Sequence, residues 1–125
     1  MEYINKLNYV EEAENTMKSI AKGDGKNELS TSKIRNILTM VMEIYNEILK
    51  EKRDEKLDDD IVSRVKYLKM RLAYESGRDN AVKGFVEKAN LLKIIDSIGN
   101  SRSNLMLFCN YMEALVAYHK FYGGK

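Results

Sequence analysis

Residues 34–49 read IRNILTMVMEIYNEIL, and this stretch decides the fold class of the chain. Its large apolar side chains recur at spacings of three and four residues, which places them on one face of an α-helix. Hydroxyl residues precede it in Leu29-Ser30-Thr31-Ser32 and can accept the free backbone N–H groups of a helix start. The pattern therefore predicts an amphipathic helix of about twenty residues. Its predicted core stripe comprises Ile34, Ile37, Leu38, Val41, Ile44, Tyr45, Ile48 and Leu49.

Similar apolar periodicity recurs in four other segments. The chain has no proline, and no stretch alternates apolar and polar residues as a half-buried strand does. We therefore predict an all-α fold, a compact bundle of about five helices with short loops. Gly77 is expected to close the third helix as a left-handed cap, and residues 91–95 either continue the fourth helix or follow a break. The predicted helices run from about Tyr9 to Ala21, from Leu29-Ser30-Thr31-Ser32 to about Lys50, from Asp58-Asp59-Asp60 to Gly77, from near Asp79 to no further than Gly99, and from Ser101 to Gly123-Gly124.

The length of 125 residues suits a single helical domain spanning residues 1–125. Within it, residues 1–28 are expected to form a peripheral N-terminal helix and a flexible link around Gly23-Asp24-Gly25. Residues 29–125 are expected to form the core bundle. The first helix is placed at the periphery because its apolar face is thin, with Val10, Ala13, Met17 and Ile20 as its members.

The chain carries few groups that could perform catalysis. It has one cysteine and one histidine, Cys109 and His119, and ten positions on one helix separate them by about 15 Å, too far for a nucleophile–base pair. Cys109 fits a small core residue, and His119 fits a helix-end or core-edge position. Asp58-Asp59-Asp60 lacks the ligand spacing of a calcium loop and fits a helix start better. We therefore expect no enzyme activity, no metal site and no cofactor.

The sequence also indicates the compartment. No apolar run approaches the ~20 residues that a membrane span needs. The N-terminus lacks the basic-then-apolar order of a signal peptide, and a single cysteine cannot form an internal disulfide. A soluble cytoplasmic protein without a membrane partner is the expectation.

Basic charge is concentrated in the second half of the chain, where residues 63–125 carry 11 basic and 5 acidic side chains, against 10 and 14 in residues 1–62. At 100° per residue the third helix presents a basic ribbon about 110° from its core stripe, with Lys66 and Lys69 on the opposite flank. Guanidinium groups suit phosphates and tyrosine rings suit stacking, but arginines can equally pair with Glu43 or Glu47 of a neighbouring helix. Nucleic acid and protein both remain open as partners of this surface. The ribbon comprises Arg64, Tyr67, Arg71, Tyr74 and Arg78.

Four stretches, in order along the chain, match a family pattern. They are residues 29–38 (LSTSKIRNIL), 67–78 (YLKMRLAYESGR), 85–89 (FVEKA) and 111–124 (YMEALVAYHKFYGG). Together they resemble the small subunit of type III-A CRISPR–Cas effector complexes, the Csm type. The resemblance spans about residues 29–124, and none of the four stretches is a catalytic signature.

The resemblance implies a non-catalytic subunit of an RNA-guided antiviral complex, present in several copies that form an inner filament. It implies contacts with the backbones of guide RNA and target RNA without sequence specificity. It also implies contacts with the backbone subunit, the large polymerase-like subunit and copies of itself. The candidate RNA-binding residues are Lys33, Arg35, Lys69, Arg71 and Arg78 within the matching stretches, with Tyr67 and, from the helical geometry, Arg64 and Lys66.

Two other functions fit the residues without the resemblance. One is a helical oligomerisation module in which the basic ribbon meets an acidic protein and binds no RNA. The other is a DNA-binding regulator, which is less favoured because no short turn leads into a recognisable recognition helix.

Overall fold

The computed structural model describes residues 3–21, 29–50 and 54–123. Within these ranges the chain forms helices and no β-strand, so the predicted all-α class is confirmed. The described ranges contain six helices rather than about five. They are α1 (Tyr9–Ala21), α2 (Thr31–Lys50), α3 (Asp59–Arg78), α4 (Asn80–Lys88), α5 (Leu91–Ile98) and α6 (Arg102–Phe121). The predicted link around Gly23-Asp24-Gly25 lies outside the described residues.

The additional helix arises from a break at Asn90. This residue has φ 57° and ψ 33°, the left-handed conformation that asparagine tolerates better than most residues and that ends a right-handed helix. Residues 79–99 therefore form the two helices α4 and α5. Residues 91–95 therefore follow a helix break and do not continue the fourth helix.

The prediction that Gly77 caps the third helix is wrong. α3 continues through Gly77 to Arg78, and the chain leaves the helix at Asp79, whose φ of −146° and ψ of 114° are extended. Asp79 then begins α4, because its carboxylate accepts hydrogen bonds from the backbone N–H groups of Ala81 (2.9 Å) and Val82 (3.3 Å). The boundary between α3 and α4 therefore lies at the capping residue Asp79, two positions after the glycine at which the sequence predicted it.

The core is continuous across all six helices, and its largest fully buried side chains include Phe85 and Phe108. In α2 the five residues Ile34, Ile37, Val41, Ile44 and Ile48 are buried, as the spacing predicts. Leu49 is 54% exposed and does not belong to the core stripe. Its azimuth lies about 100° from that of Ile48, which puts it on the outer face.

α1 packs mainly against α6. It buries Ala13 and Met17, whereas Val10 is exposed. Tyr122 at the end of α6 donates its hydroxyl to the carboxylate of Glu14 (2.7 Å). No helix within the described ranges is long and apolar enough to cross a membrane.

α2 and α3 run antiparallel, and this arrangement orients the surface of α3. Lys33 at the start of α2 pairs with Asp79 after α3, and Glu47 near the end of α2 pairs with Arg64 near the start of α3. The loop after α2 is held to the start of α6, where the backbone N–H of Arg102 donates to the carbonyl O of Glu55 (2.7 Å). The ion pair between Lys33 and Asp79 thus lies at one end of the α2–α3 pair, and the contacts of Arg64 and Glu55 lie at the other.

Candidate nucleic-acid interface

The outer face of α3 is the most distinctive surface of the described residues. The helix buries its predicted core stripe, Ile61, Val65, Leu68 and Leu72. The opposite side therefore faces solvent, and it exposes three large side chains next to one another: Tyr67 (59%), Met70 (56%) and Tyr74 (58%). These three recur at spacings of three and four residues, so they lie along one line of the helix.

Two arginines of the predicted ribbon converge on one ring and one carboxylate. The guanidinium carbons of Arg71 and Arg78 lie 5.9 Å and 5.6 Å from the ring centroid of Tyr74. Each guanidinium also approaches the Glu75 carboxylate, at 3.5 Å for Arg71 and 3.8 Å for Arg78. The structure thus brings Arg71, Tyr74 and Arg78 together as the sequence predicted, and adds Glu75 to them.

Other basic residues of α3 tie it to its neighbours. Arg64 lies 3.8 Å from the carboxylate of Glu47 in α2, which was one of the two partners considered from the sequence. Lys69 lies 2.6 Å from Asp96 in α5. Lys66 is exposed and has no ion-pair partner within the described part of the chain. The basic side chains of α3 therefore differ in whether a carboxylate of the described residues already lies beside them.

The two candidates in α2 occupy different positions. The ammonium group of Lys33 contacts Asp79 at 2.9 Å, and this hydrogen bond is the main reason that the pKa of Asp79 lies below its usual range. Lys33 is thereby placed at the end of α3, near the Arg78 end of the ribbon. Arg35 is exposed and follows two positions later, about 160° around the helix from Lys33, so it points away from α3.

Sequence reasoning omitted two members of this surface, Met70 and Glu75. Met70 stands three positions after Tyr67 and four before Tyr74, a spacing that could have revealed it. Glu75 stands four positions after Arg71 and three before Arg78, which are the distances of intrahelical ion pairs. The signal for Glu75 was therefore present in the sequence.

Cys109 and His119, the two residues considered for catalysis from the sequence, are both buried. Burial raises the pKa of the Cys109 thiol to about 12, with a smaller contribution from the charge of Glu113. His119 is buried, and its Nε2 donates to the carbonyl O of Leu29 at 2.6 Å, a core-edge role. No group of three or more His, Cys, Asp or Glu residues in the described ranges could hold a metal ion. Cys109 and His119 therefore lie in the core and at its edge, as the sequence indicates.

A separate groove of about 670 Å³ lies beside the first turns of α6, away from α3. Residues of the N-terminal segment form one wall, among them Ile4 and Tyr9, and Met106 and Leu107 of α6 form another. Among the described residues that line it, Lys6 and Arg102 carry charge, and the guanidinium group of Arg102 donates to the carbonyl O of Ile48 (2.9 Å).

Comparison with known proteins gives consistent matches. The family model described as Csm2 Type III-A matches residues 6–125. The "CRISPR system Cms protein Csm2" of Streptococcus thermophilus is 42% identical over 119 residues, covering 94% of this chain and 93% of that protein. The protein of the same name from Mycobacterium tuberculosis (strain ATCC 25618 / H37Rv) is 38% identical over 113 residues, covering 90% of each. That of Enterococcus italicus is 41% identical over 98 residues, covering 77% of this chain and 69% of that protein.

Proposed function

The chain belongs to the Csm2 family of type III-A CRISPR systems, and on this premise we propose that it contacts the RNA backbone through the outer face of α3. Family membership makes it the small subunit of such a system. The proposal concerns what that subunit binds and with which residues. Its main support is the surface on which Arg71 and Arg78 stand beside the exposed ring of Tyr74, with the exposed ring of Tyr67 on the same face and the exposed Lys66 on the opposite flank of the helix.

The chemistry of this surface favours the phosphate backbone over the bases. Arginine guanidinium groups match phosphate oxygens in fork geometry, and lysine adds an attractive point charge. Tyrosine rings can stack on any base, because every base has a π-face. Neither kind of contact depends strongly on base identity. We therefore infer binding of guide RNA and target RNA without sequence preference.

The other candidate residues differ in how they would take part in RNA binding. Lys33 and Lys69 contact carboxylates of neighbouring elements at 2.9 Å and 2.6 Å, which offsets part of their charge. Arg64 lies 3.8 Å from the carboxylate of Glu47 and, like Arg71 and Arg78, keeps donors for another anion. Arg35 lies on another face of α2 and would serve an RNA strand that passes around this helix. In the proposed assembly, copies of the chain form an inner filament in a cytoplasmic antiviral complex and also contact the backbone and large polymerase-like subunits. The chain itself performs no catalytic step.

The experiment that tests this proposal compares Arg71→Ala with the wild-type chain in binding of single-stranded RNA at several salt concentrations. Loss of one phosphate contact should flatten the slope of log K against log salt by roughly 0.7–1 unit, about equally for unrelated sequences. Lys18→Ala is the control that removes one positive charge from α1, an exposed position on a helix that packs on α6. A loss that depends on RNA sequence, or a loss no larger than that of the control, contradicts the proposal.

A second function is supported by the exposed Met70 between Tyr67 and Tyr74, because methionine and aromatic residues are common in protein interfaces. In that case the face of α3 would contact a neighbouring subunit and RNA would not compete for it. Arg71→Ala would then weaken assembly and leave RNA binding unchanged.

A further inference from the structure

Arg71 and Arg78 stand one on each side of a single internal carboxylate. They are seven positions apart on α3, and both guanidinium groups approach Glu75, at 3.5 Å and 3.8 Å. Glu75 is also the only acidic residue between positions 61 and 78, a stretch with five basic residues. One negative charge thus stands where the two arginines converge.

The burial of these side chains shows which of them meets solvent. The side chain of Glu75 is 26% exposed, against 41% for Arg71 and 62% for Arg78. Glu75 therefore lies deeper than the two guanidinium groups. Both ion-pair distances exceed the 2.7–2.9 Å typical of charge-assisted hydrogen bonds, so the arginines keep donors for another anion.

From this geometry we propose that Arg71 and Arg78 form one discrete site for a single phosphodiester group of RNA, and that Glu75 is a built-in competitor for that site. The inference rests on the proposed RNA-binding function of α3. In the free chain the carboxylate offsets part of the charge of both arginines. When a phosphate binds, the guanidinium groups turn to it, and Glu75 is left beside a second negative charge.

A phosphodiester fits this site for two reasons. It presents two acceptor oxygens that guanidinium forks can share, and a continuous backbone carries the next nucleoside past the exposed ring of Tyr74. Both arginines already lie within 6 Å of that ring centroid, so phosphate and base contacts would occur side by side. Glu75 keeps this contact weak enough to exchange.

The consequence is that removing the charge of Glu75 should strengthen RNA binding. The lost competition and the lost repulsion between carboxylate and phosphate are each modest at a solvent-exposed site, and together correspond to about a three- to tenfold gain in affinity. The salt dependence should steepen by up to about 0.7 unit for single-stranded RNA, because the site regains its full positive charge.

The test uses the full chain with Glu75→Gln, which keeps the size of the side chain, and fluorescence anisotropy with two unrelated single-stranded RNAs. Glu87→Gln is the matched control, since it makes the same change in net charge at an exposed position of α4. The proposal expects tighter binding for Glu75→Gln than for Glu87→Gln, with a steeper salt slope. Equal binding by the two variants overturns it, as does weaker binding, which would make Glu75 a group that positions the arginines.

A third variant, Arg71→Ala/Arg78→Ala, separates the failure of this inference from the failure of the proposed function. If the double variant binds RNA as the wild type does, the RNA-binding role of α3 is wrong. If the double variant loses affinity and Glu75→Gln does not gain it, only the competitor role of Glu75 is wrong. Circular dichroism and urea unfolding of each variant ensure that folded proteins are compared.

Discussion

Asp79 joins three helices, and its replacement tests how the basic end of α3 is held in place. Its carboxylate caps α4 through the backbone N–H groups of Ala81 and Val82, and it accepts a hydrogen bond from the ammonium group of Lys33 at 2.9 Å. Asp79 thus follows the end of α3, and its side chain caps α4 and contacts the start of α2. The perturbation is a pair of substitutions, Asp79→Ala and Asp79→Asn.

The two substitutions remove different interactions. Asp79→Ala removes the cap, worth about 1 kcal/mol and up to about 2, and also the ion pair with Lys33, worth about 0.2–1 kcal/mol at this exposure. The free energy of unfolding should therefore fall by about 1–3 kcal/mol. Asp79→Asn keeps an oxygen that can cap α4 and loses the charge, so it should cost about 0.5–1.5 kcal/mol.

The assay is urea unfolding followed by circular dichroism, repeated for both variants on a Lys33→Met background. The double-mutant cycle should return a coupling of about 0.2–1 kcal/mol between Lys33 and Asp79. Equal losses for Asp79→Ala and Asp79→Asn would refute the capping role. A coupling of zero would refute the link between α2 and the end of α3.

The pH dependence of the same variants gives a check with a definite sign. The hydrogen bond from Lys33 and those from Ala81 and Val82 hold the pKa of Asp79 below its usual range. A carboxylate whose pKa is lower in the folded state contributes its stability above the unfolded pKa of about 3.9 and loses it as the pH falls through the folded pKa. The difference in stability between wild type and Asp79→Asn should therefore be full at pH 6 and shrink below about pH 4.

Three further predictions concern the core and the loop that borders it. Phe108→Ala should lower the free energy of unfolding by about 3–5 kcal/mol in urea titrations, because Phe108 is fully buried. Cys109, whose pKa is raised to about 12 by burial, should resist a thiol reagent at pH 8 in the folded chain and react in urea. Hydrogen bonds from Ser101 and Ser103 lower the pKa of Glu55, so Glu55→Ala should reduce the thermal midpoint at pH 7, and this difference should shrink as the pH falls below about 4 toward the lowered pKa.

Much of the fold could be predicted from residues 34–49 and their equivalents, because apolar periodicity reports directly which face of a helix is buried. The break at Asn90 was harder to predict from the sequence, because a residue in the left-handed conformation interrupts a helix without changing the apolar pattern around it. Gly77 was assigned a cap on residue type alone. The cap hydrogen bonds of Asp79, two residues later, determine where α3 ends and α4 begins.

The candidate site was predictable within α3 and less so between helices. Arg71, Tyr74 and Arg78 share one face by helical arithmetic, and the structure places them together. The partners of Lys33 and Lys69 lie 46 and 27 positions away along the chain, at Asp79 and Asp96. Spacing within one helix carries no information on such contacts, since they depend on how α2, α3 and α5 pack.

The central claim, that α3 meets the RNA backbone, is tested most directly by ultraviolet crosslinking of the chain to RNA within its assembled type III-A complex, followed by peptide mapping. The account predicts crosslinks on peptides from residues 64–78, centred on Tyr67 and Tyr74, with guide or target RNAs of unrelated sequence. Crosslinks confined to α1 or α6, or an assembled complex in which α3 is protected by protein and carries no RNA, would contradict it.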